Sequence, residues 1–233
     1  MNFEDFGIDA TGLPTPFQGD QSEWLSRLSR AETRLAQIGP EGAALDLAEA
    51  QLEKARALVA LERGNEGWPL ARVAVDVFLD AQRWEDAVDA FDVLFNAEQE
   101  QSLAALGQGL WLAVSFPIDV ELTLSMLHHV IDETPDDSDG AAVAAATAVF
   151  LADLRAKDDQ RENLVFFANQ MLGKVARRHS KVESQLQFQA WIMRMELDDP
   201  DKFLVRLRNV IDVLAQEDWW FDRDAVRASI PQD

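Results

Sequence analysis

The sequence of 233 residues contains no cysteine and no tyrosine, only 11 glycines and 8 prolines, and half as many basic residues (21) as acidic ones (42). The absence of cysteine excludes a disulfide framework, a cysteine nucleophile and thiolate ligands for a metal. The low glycine and proline content argues against collagen-like and all-β folds. The net charge of −21 makes nucleic acid a poor partner, because binding to phosphates requires Lys and Arg.

Long apolar runs are also missing. The longest covers 141–152 and includes Thr147, which is too short for the roughly 20 apolar residues of a membrane span. Residues 1–20 have neither the basic n-region nor the apolar h-region of an export signal. We therefore expect a cytoplasmic protein without a membrane partner. The acid excess has two explanations, a basic partner or a surface adapted to solubility or to a high-salt cytoplasm.

Helical periodicity is the strongest positive signal in the chain. Apolar residues make up 48% of the sequence, and from residue 21 onwards they recur every three or four positions, as in amphipathic helices. No segment alternates between apolar and polar residues as a strand does. The pattern predicts an all-α fold of ten longer helices and a short last one, with 21–233 forming a single helical-repeat domain. Residues 1–20 have no period and are predicted to be a flexible acidic tail.

The predicted helices pair, and the pairs have a period. The second helices of successive pairs centre near residues 52, 90, 125, 167 and 208, at spacings of 35 to 42 residues. Self-similarity with a period of roughly 20–50 residues is typical of solenoids. A single pair cannot bury its own apolar face, so neighbouring pairs must stack. We therefore predict an α/α solenoid of about five helical hairpins, the last formed by helices over 181–197 and 201–216.

One window carries a more specific motif. In FLDAQRWEDAVDAF, the aromatic Phe78 is followed nine positions later by Ala87 and four positions after that by Phe91. This arrangement resembles the tetratricopeptide repeat, in which a small residue lets two helices approach and aromatics fill the space between pairs. The resemblance extends over about 66–135. Four positions depart from the family pattern, where its early Trp, Leu and Gly and its closing Pro would stand: Ala71, Ala74, Val75 and Gln99.

The resemblance implies protein binding. Repeats of this family hold a peptide or a partner segment on a concave face lined mainly by the first helix of each hairpin. A chain similar to them is expected to be a non-catalytic protein-binding module, such as an adaptor, an assembly factor or a chaperone-like scaffold. Its partner is expected to be a protein that is basic or presents an extended segment. The alternative is a structural subunit of a larger complex.

Residues that could carry catalysis are scarce. The chain has three histidines and no glycine-rich phosphate loop. His128 and Asp132, four apart on a predicted helix, lack the third ligand that a metal site needs, and the acidic loop 132–140 does not match the register of a calcium loop. We expect no enzyme activity, no metal and no cofactor. A helical-bundle enzyme with a site of acids around His128 is the second alternative.

Three segments are candidates for partner binding. The tail places apolar residues among acids, as a linear docking motif or as a passive arm. The basic cluster at 174–181 can bind an acidic peptide, or can stabilise a helix C-terminus and pair with acids of the chain. The aromatic run 219–221 can anchor an interface, or can cover the apolar stripe of the last hairpin. The candidate residues are Phe3, Phe6, Arg177, Arg178, Trp219, Trp220 and Phe221.

Overall fold

The computed structural model describes residue 17 and residues 19–229 of the chain. This part contains eleven α-helices and no strand, so the predicted all-α fold is confirmed. None of these eleven helices has both the length and the apolar content needed to cross a bilayer. The helices are α1 (Gln21–Ile38), α2 (Ala44–Ala60), α3 (Gly64–Asp80), α4 (Trp84–Asn96), α5 (Ser102–Ser115), α6 (Val120–Glu133), α7 (Asp139–Arg155), α8 (Asp158–Ser180), α9 (Gln185–Arg194), α10 (Pro200–Ala215) and α11 (Arg223–Ala228).

The helix ends have local causes. Asp20 and Asp119 accept hydrogen bonds from backbone N–H groups in the first turns of α1 and α6, which would otherwise have no partner. Ser184 caps α9 in the same way, within a complete capping box. Lys181 adopts a left-handed conformation and ends α8. The predicted helix over 181–197 is therefore wrong in its bounds. The left-handed Lys181 and the capping Ser184 delay its start, and α9 is a shorter helix.

The contacts between Cα atoms divide the chain into two compact units. The first unit comprises residues 19–116 together with 214–229 of the described chain. The second unit is Pro117–Val213. That the two units belong to a single domain over 21–233 stays a prediction.

Helices of the first unit pack in chain order, from α1 on α2 to α4 on α5. Phe78, Ala87 and Phe91 are fully buried, as the repeat-like motif predicts. Between α2 and α3, an ideal Cβ on Gly67 would stand only 2.9 Å from the carbonyl oxygen of Ala55. The two helices can approach this closely because Gly67 has no side chain. Consecutive packing of short helices is compatible with the predicted helical repeat.

Helix α7 lies at the centre of the second unit. Helices α6, α7 and α8 pack in chain order, and most of the alanine-rich α7 is buried. Two residues of the apolar stripe of α10 contact α7: the ring of Phe203 lies 5.9 Å from that of Phe150, and Val210 lies beside Gly140. The sequence pattern assigns α10 to a hairpin with α9 and does not predict this contact with α7.

Candidate functional site

The predicted site residues lie in three different environments. Phe3 and Phe6 lie outside the described residues. Arg177 and Arg178 lie in the last turn of α8, and the aromatic run 219–221 lies between α10 and α11. Each group is therefore described by its own contacts.

Arg178 bonds to the C-terminal end of a neighbouring helix. Its Nη2 donates to the carbonyl oxygen of Ile131 at 2.6 Å and lies 3.5 Å from that of Thr134, where α6 ends. A cation at this position satisfies carbonyl groups that have no partner within the helix. Arg177 is exposed and lines a shallow cleft with Gln170 and Phe188. The two arginines therefore do not form one basic surface, and Arg178 has a structural contact.

Histidines of the second unit make local contacts. His128 Nδ1 lies 3.3 Å from a carboxylate oxygen of Asp132, the pair noted in the sequence. Within the described chain, no group of three His, Asp or Glu side chains could hold a metal ion. A contact that the sequence pattern did not reveal links His179 to Asp139, at 3.2 Å from Nε2 to Oδ1, and to Trp191, whose Nε1 lies 3.3 Å from Nδ1. This contact joins α8, α7 and α9.

A cleft of the first unit is lined by three arginines, two of which are paired with carboxylates. It is bounded by Trp24, Arg27, Arg30, Glu53 and Arg56, with a volume of about 390 Å³. Arg27 pairs with Glu23, and Arg56 pairs with Asp89. Burial opposes the charge of Arg56, yet the nearby carboxylates more than offset it and raise its pKa. We interpret this cleft as an internal ion-pair network and not as a site for an anion.

The aromatic run 219–221 packs on three helices of the first unit. The ring of Trp220 stacks on Phe91 of α4 at 5.6 Å between centroids and meets Trp68 of α3 edge-on at 6.2 Å. The guanidinium of Arg72, one turn along α3 from Trp68, lies 4.4 Å from the centre of the Trp220 ring. Trp220 is therefore held by two aromatic rings and a cation, an arrangement that favours large electron-rich rings.

The other two aromatics of the run contact α5. The ring centroid of Trp111 lies 6.2 Å from that of Trp219 and 5.7 Å from that of Phe221. From the opposite direction along the chain, the guanidinium of Arg223 lies over the ring of Trp219, 4.1 Å from its centre. The sequence analysis considered the run as an interface anchor or as a cover for the last hairpin. It did not predict these contacts, which are with α3, α4 and α5 of the first unit.

A buried glutamine binds the main chain of the same segment. The Nε2 of Gln108 donates to the carbonyl oxygen of Asp218 at 3.1 Å, and its Oε1 accepts from the backbone N–H of Trp220 at 2.8 Å. Gln108 is fully buried. Gln101, the residue just before α5, donates to the Asp218 carboxylate at 3.2 Å. The carboxamide of Gln108 thus uses both of its polar atoms to bind backbone groups two residues apart, whatever side chains those residues carry.

We call Trp68, Arg72, Phe91, Gln108 and Trp111 the docking surface, and residues 217–223 the docked segment. Residues 217–222 of the docked segment form no helix or strand, Arg223 begins α11, and the three aromatics stay partly exposed. Only Trp219, Trp220 and Phe221 of these residues were candidates from the sequence. Gln108 could have been found as a polar residue between two glycines in the apolar stretch ALGQGLWLA.

Comparison of the chain with protein-family models, with curated proteins and with solved structures gives no match. The likeness to tetratricopeptide repeats therefore depends on the motif of Phe78, Ala87 and Phe91 and on the packing of consecutive helices. Other helical hairpins also bury small and aromatic residues between them.

Proposed function

We propose that the chain is a non-catalytic protein-binding module, built from tetratricopeptide-like helical repeats, whose docking surface binds an extended segment of a partner protein. The observation that carries the proposal is the pair of hydrogen bonds between the Gln108 side chain and the main chain, one donated to the carbonyl of residue 218 and one accepted from the N–H of residue 220. In this role it is an adaptor, an assembly factor or a chaperone-like scaffold of the cytoplasm, with a protein as its partner.

Backbone bonding by a side chain suits the recognition of segments. Hydrogen bonds to the main chain supply affinity for any extended segment, while pockets for particular side chains supply specificity, a division of labour that recurs in peptide recognition. The specific part here is aromatic, with Trp68, Phe91 and Trp111 as the contacts and Arg72 as the cation. Tryptophan and arginine are among the residues enriched at the energetic centres of interfaces.

Selection of peptides on the intact protein tests the proposal. Random peptides displayed on phage are selected on the full-length Trp220→Ala variant, in which the chain's own aromatic no longer fills the docking surface, and are counter-selected on Trp220→Ala combined with Gln108→Ala. We expect the enriched peptides to carry adjacent aromatic residues. Made synthetically, they should bind Trp220→Ala at least about tenfold more tightly than the double variant, since a tenfold change corresponds to about 1.4 kcal/mol, the scale of one or two net hydrogen bonds.

A matched control separates the docking surface from a general effect of losing a glutamine. Gln170→Ala makes the same change at an exposed position of the second unit and should leave binding unchanged. The proposal is wrong if no peptide is enriched, or if the enriched peptides bind the double variant as tightly as Trp220→Ala.

A further inference from the structure

The docking surface is occupied by the chain itself. We propose that the docked segment is a displaceable intramolecular ligand, and that a partner segment of the same chemistry, an acidic residue followed by consecutive large aromatics, takes its place. This inference rests on the proposed function, because it requires the docking surface to bind a segment from another molecule.

The contacts define the chemistry of the partner. Gln101 receives the acidic side chain of Asp218, Gln108 binds the main chain on either side of Trp219, and the rings of Trp68 and Phe91 hold Trp220. A partner segment needs an acidic residue, a large aromatic two positions later, and aromatics around it. A purely aliphatic segment would lose the contact with the Arg72 guanidinium, which depends on an aromatic ring.

Burial shows that the docked segment is held less firmly than the core. Phe78 and Phe91 are fully buried, whereas all three aromatics of the docked segment remain partly exposed. After Ala215, no residue up to 229 is buried, and α11 contains no buried residue. Releasing the docked segment therefore exposes its aromatics and part of the docking surface but does not open the α1–α5 packing.

The route by which the docked segment can leave is short. Ala215, the last residue of α10, is buried, and Gln216 follows in a left-handed conformation with φ of 54°. Rotation about the few bonds at 216–217 would release the docked segment without unwinding α10, as hinges at element ends do in other proteins. When the docked segment leaves, the buried Gln108 carboxamide loses its hydrogen bonds to Asp218 and Trp220, so the surface favours a new occupant.

The docked segment and an added peptide compete for the docking surface, and this competition has a measurable consequence. A segment on the same chain acts at an effective concentration of about millimolar, so a free peptide with identical contacts binds only to the fraction of molecules whose surface is open. Weakening the docked segment raises that fraction. The affinity for an added peptide should then increase by about tenfold or more.

The probe is a fluorescein-labelled peptide with the sequence of residues 217–229, EDWWFDRDAVRAS. Its binding to the full chain is measured by fluorescence anisotropy for the wild-type protein, for Trp220→Ala, and for Trp220→Ala combined with Gln108→Ala. Phe166→Ala, which removes a largely exposed aromatic of the second unit, is the matched control. Far-UV circular dichroism establishes that each variant is folded.

We expect Trp220→Ala to bind the peptide at least about tenfold more tightly than the wild-type chain, the double variant to lose binding, and Phe166→Ala to behave as wild type. Equal, tight binding by the wild-type chain and Trp220→Ala would overturn the inference and leave the proposed function standing. No binding by either folded protein would overturn both.

A second measurement applies if Trp220→Ala loses its helical circular dichroism. Hydrogen exchange of the Trp220 amide, which is bonded to Gln108 in the wild-type chain, reports whether the docked segment is in place. An excess of unlabelled peptide should accelerate this exchange severalfold while the amides of α4 stay protected. If the peptide does not accelerate it, the segment is a permanent part of the first unit and the inference is wrong.

Discussion

Gly107, in the middle of α5, lies where the chain returns to the first unit. An ideal Cβ on Gly107 would stand 2.6 Å from the backbone nitrogen of Ala215 and 2.9 Å from the Cβ of Leu214. Contacts with a backbone nitrogen at this distance force the backbone to move. Gly107→Ala should therefore push the last turn of α10 away from α5 and loosen the docked segment.

Two opposing free-energy changes determine the size of the effect. Alanine is better than glycine in a helix interior by about 1 kcal/mol, whereas overpacking a tight contact costs about 1–3 kcal/mol. We expect Gly107→Ala to be neutral to about 2 kcal/mol destabilising in the free energy of unfolding. The measurement is urea unfolding followed by far-UV circular dichroism, with tryptophan emission to detect exposure of Trp219 and Trp220.

Gly173→Ala in α8 is the matched control. An ideal Cβ there meets nothing closer than the Arg177 guanidinium at 3.8 Å, an ordinary contact. This variant should gain the full helix preference of about 1 kcal/mol. If Gly107→Ala is stabilised as much as Gly173→Ala and its tryptophan emission is unchanged, the close approach of residues 214–215 to α5 does not exist.

Four other predictions follow from single contacts. Ala87→Leu should lower the free energy of unfolding by about 1–3 kcal/mol, because Ala87 is fully buried; an unchanged urea midpoint would contradict its packing. Ser184→Ala should cost about 1 kcal/mol and speed hydrogen exchange in α9, whose capping box it removes. Gln216→Gly should raise the free energy of unfolding by up to about 1 kcal/mol, because Gln216 has φ of 54°, which glycine adopts without strain. A lower free energy of unfolding would show that contacts of the Gln216 side chain outweigh this gain. The Arg63 guanidinium, hydrogen-bonded to Glu66, holds the pKa of that carboxyl below its ordinary value, so the stabilisation by this pair is present at neutral pH and is lost as pH falls through the lowered pKa; an NMR titration should show the Glu66 pKa rising in Arg63→Ala.

The helices and their order could be predicted from the sequence because they depend on neighbours in the chain. Apolar periodicity predicted ten longer helices and a short last one, which matches the eleven helices of the described residues. The motif around Phe78 and Ala87 also predicted which residues are buried, since the spacing of small and aromatic residues along two adjacent helices determines how they can pack. Errors at this level were errors of bounds, as for α9, where a left-handed lysine and a capping serine shorten the helix.

The site could be predicted only in part, because its two halves are far apart in the chain. The sequence singled out Trp219 and Trp220 as aromatics in an unusual run, but Gln108, which binds their main chain, lies 112 residues before Trp220. Local periodicity contains no information on such a pairing, since many apolar surfaces could accept three aromatics. Complementary shape determines the pairing. Gly107 allows the backbone of Ala215 to approach α5. This approach brings the docked segment within hydrogen-bonding distance of the Gln108 carboxamide, which helix packing buries.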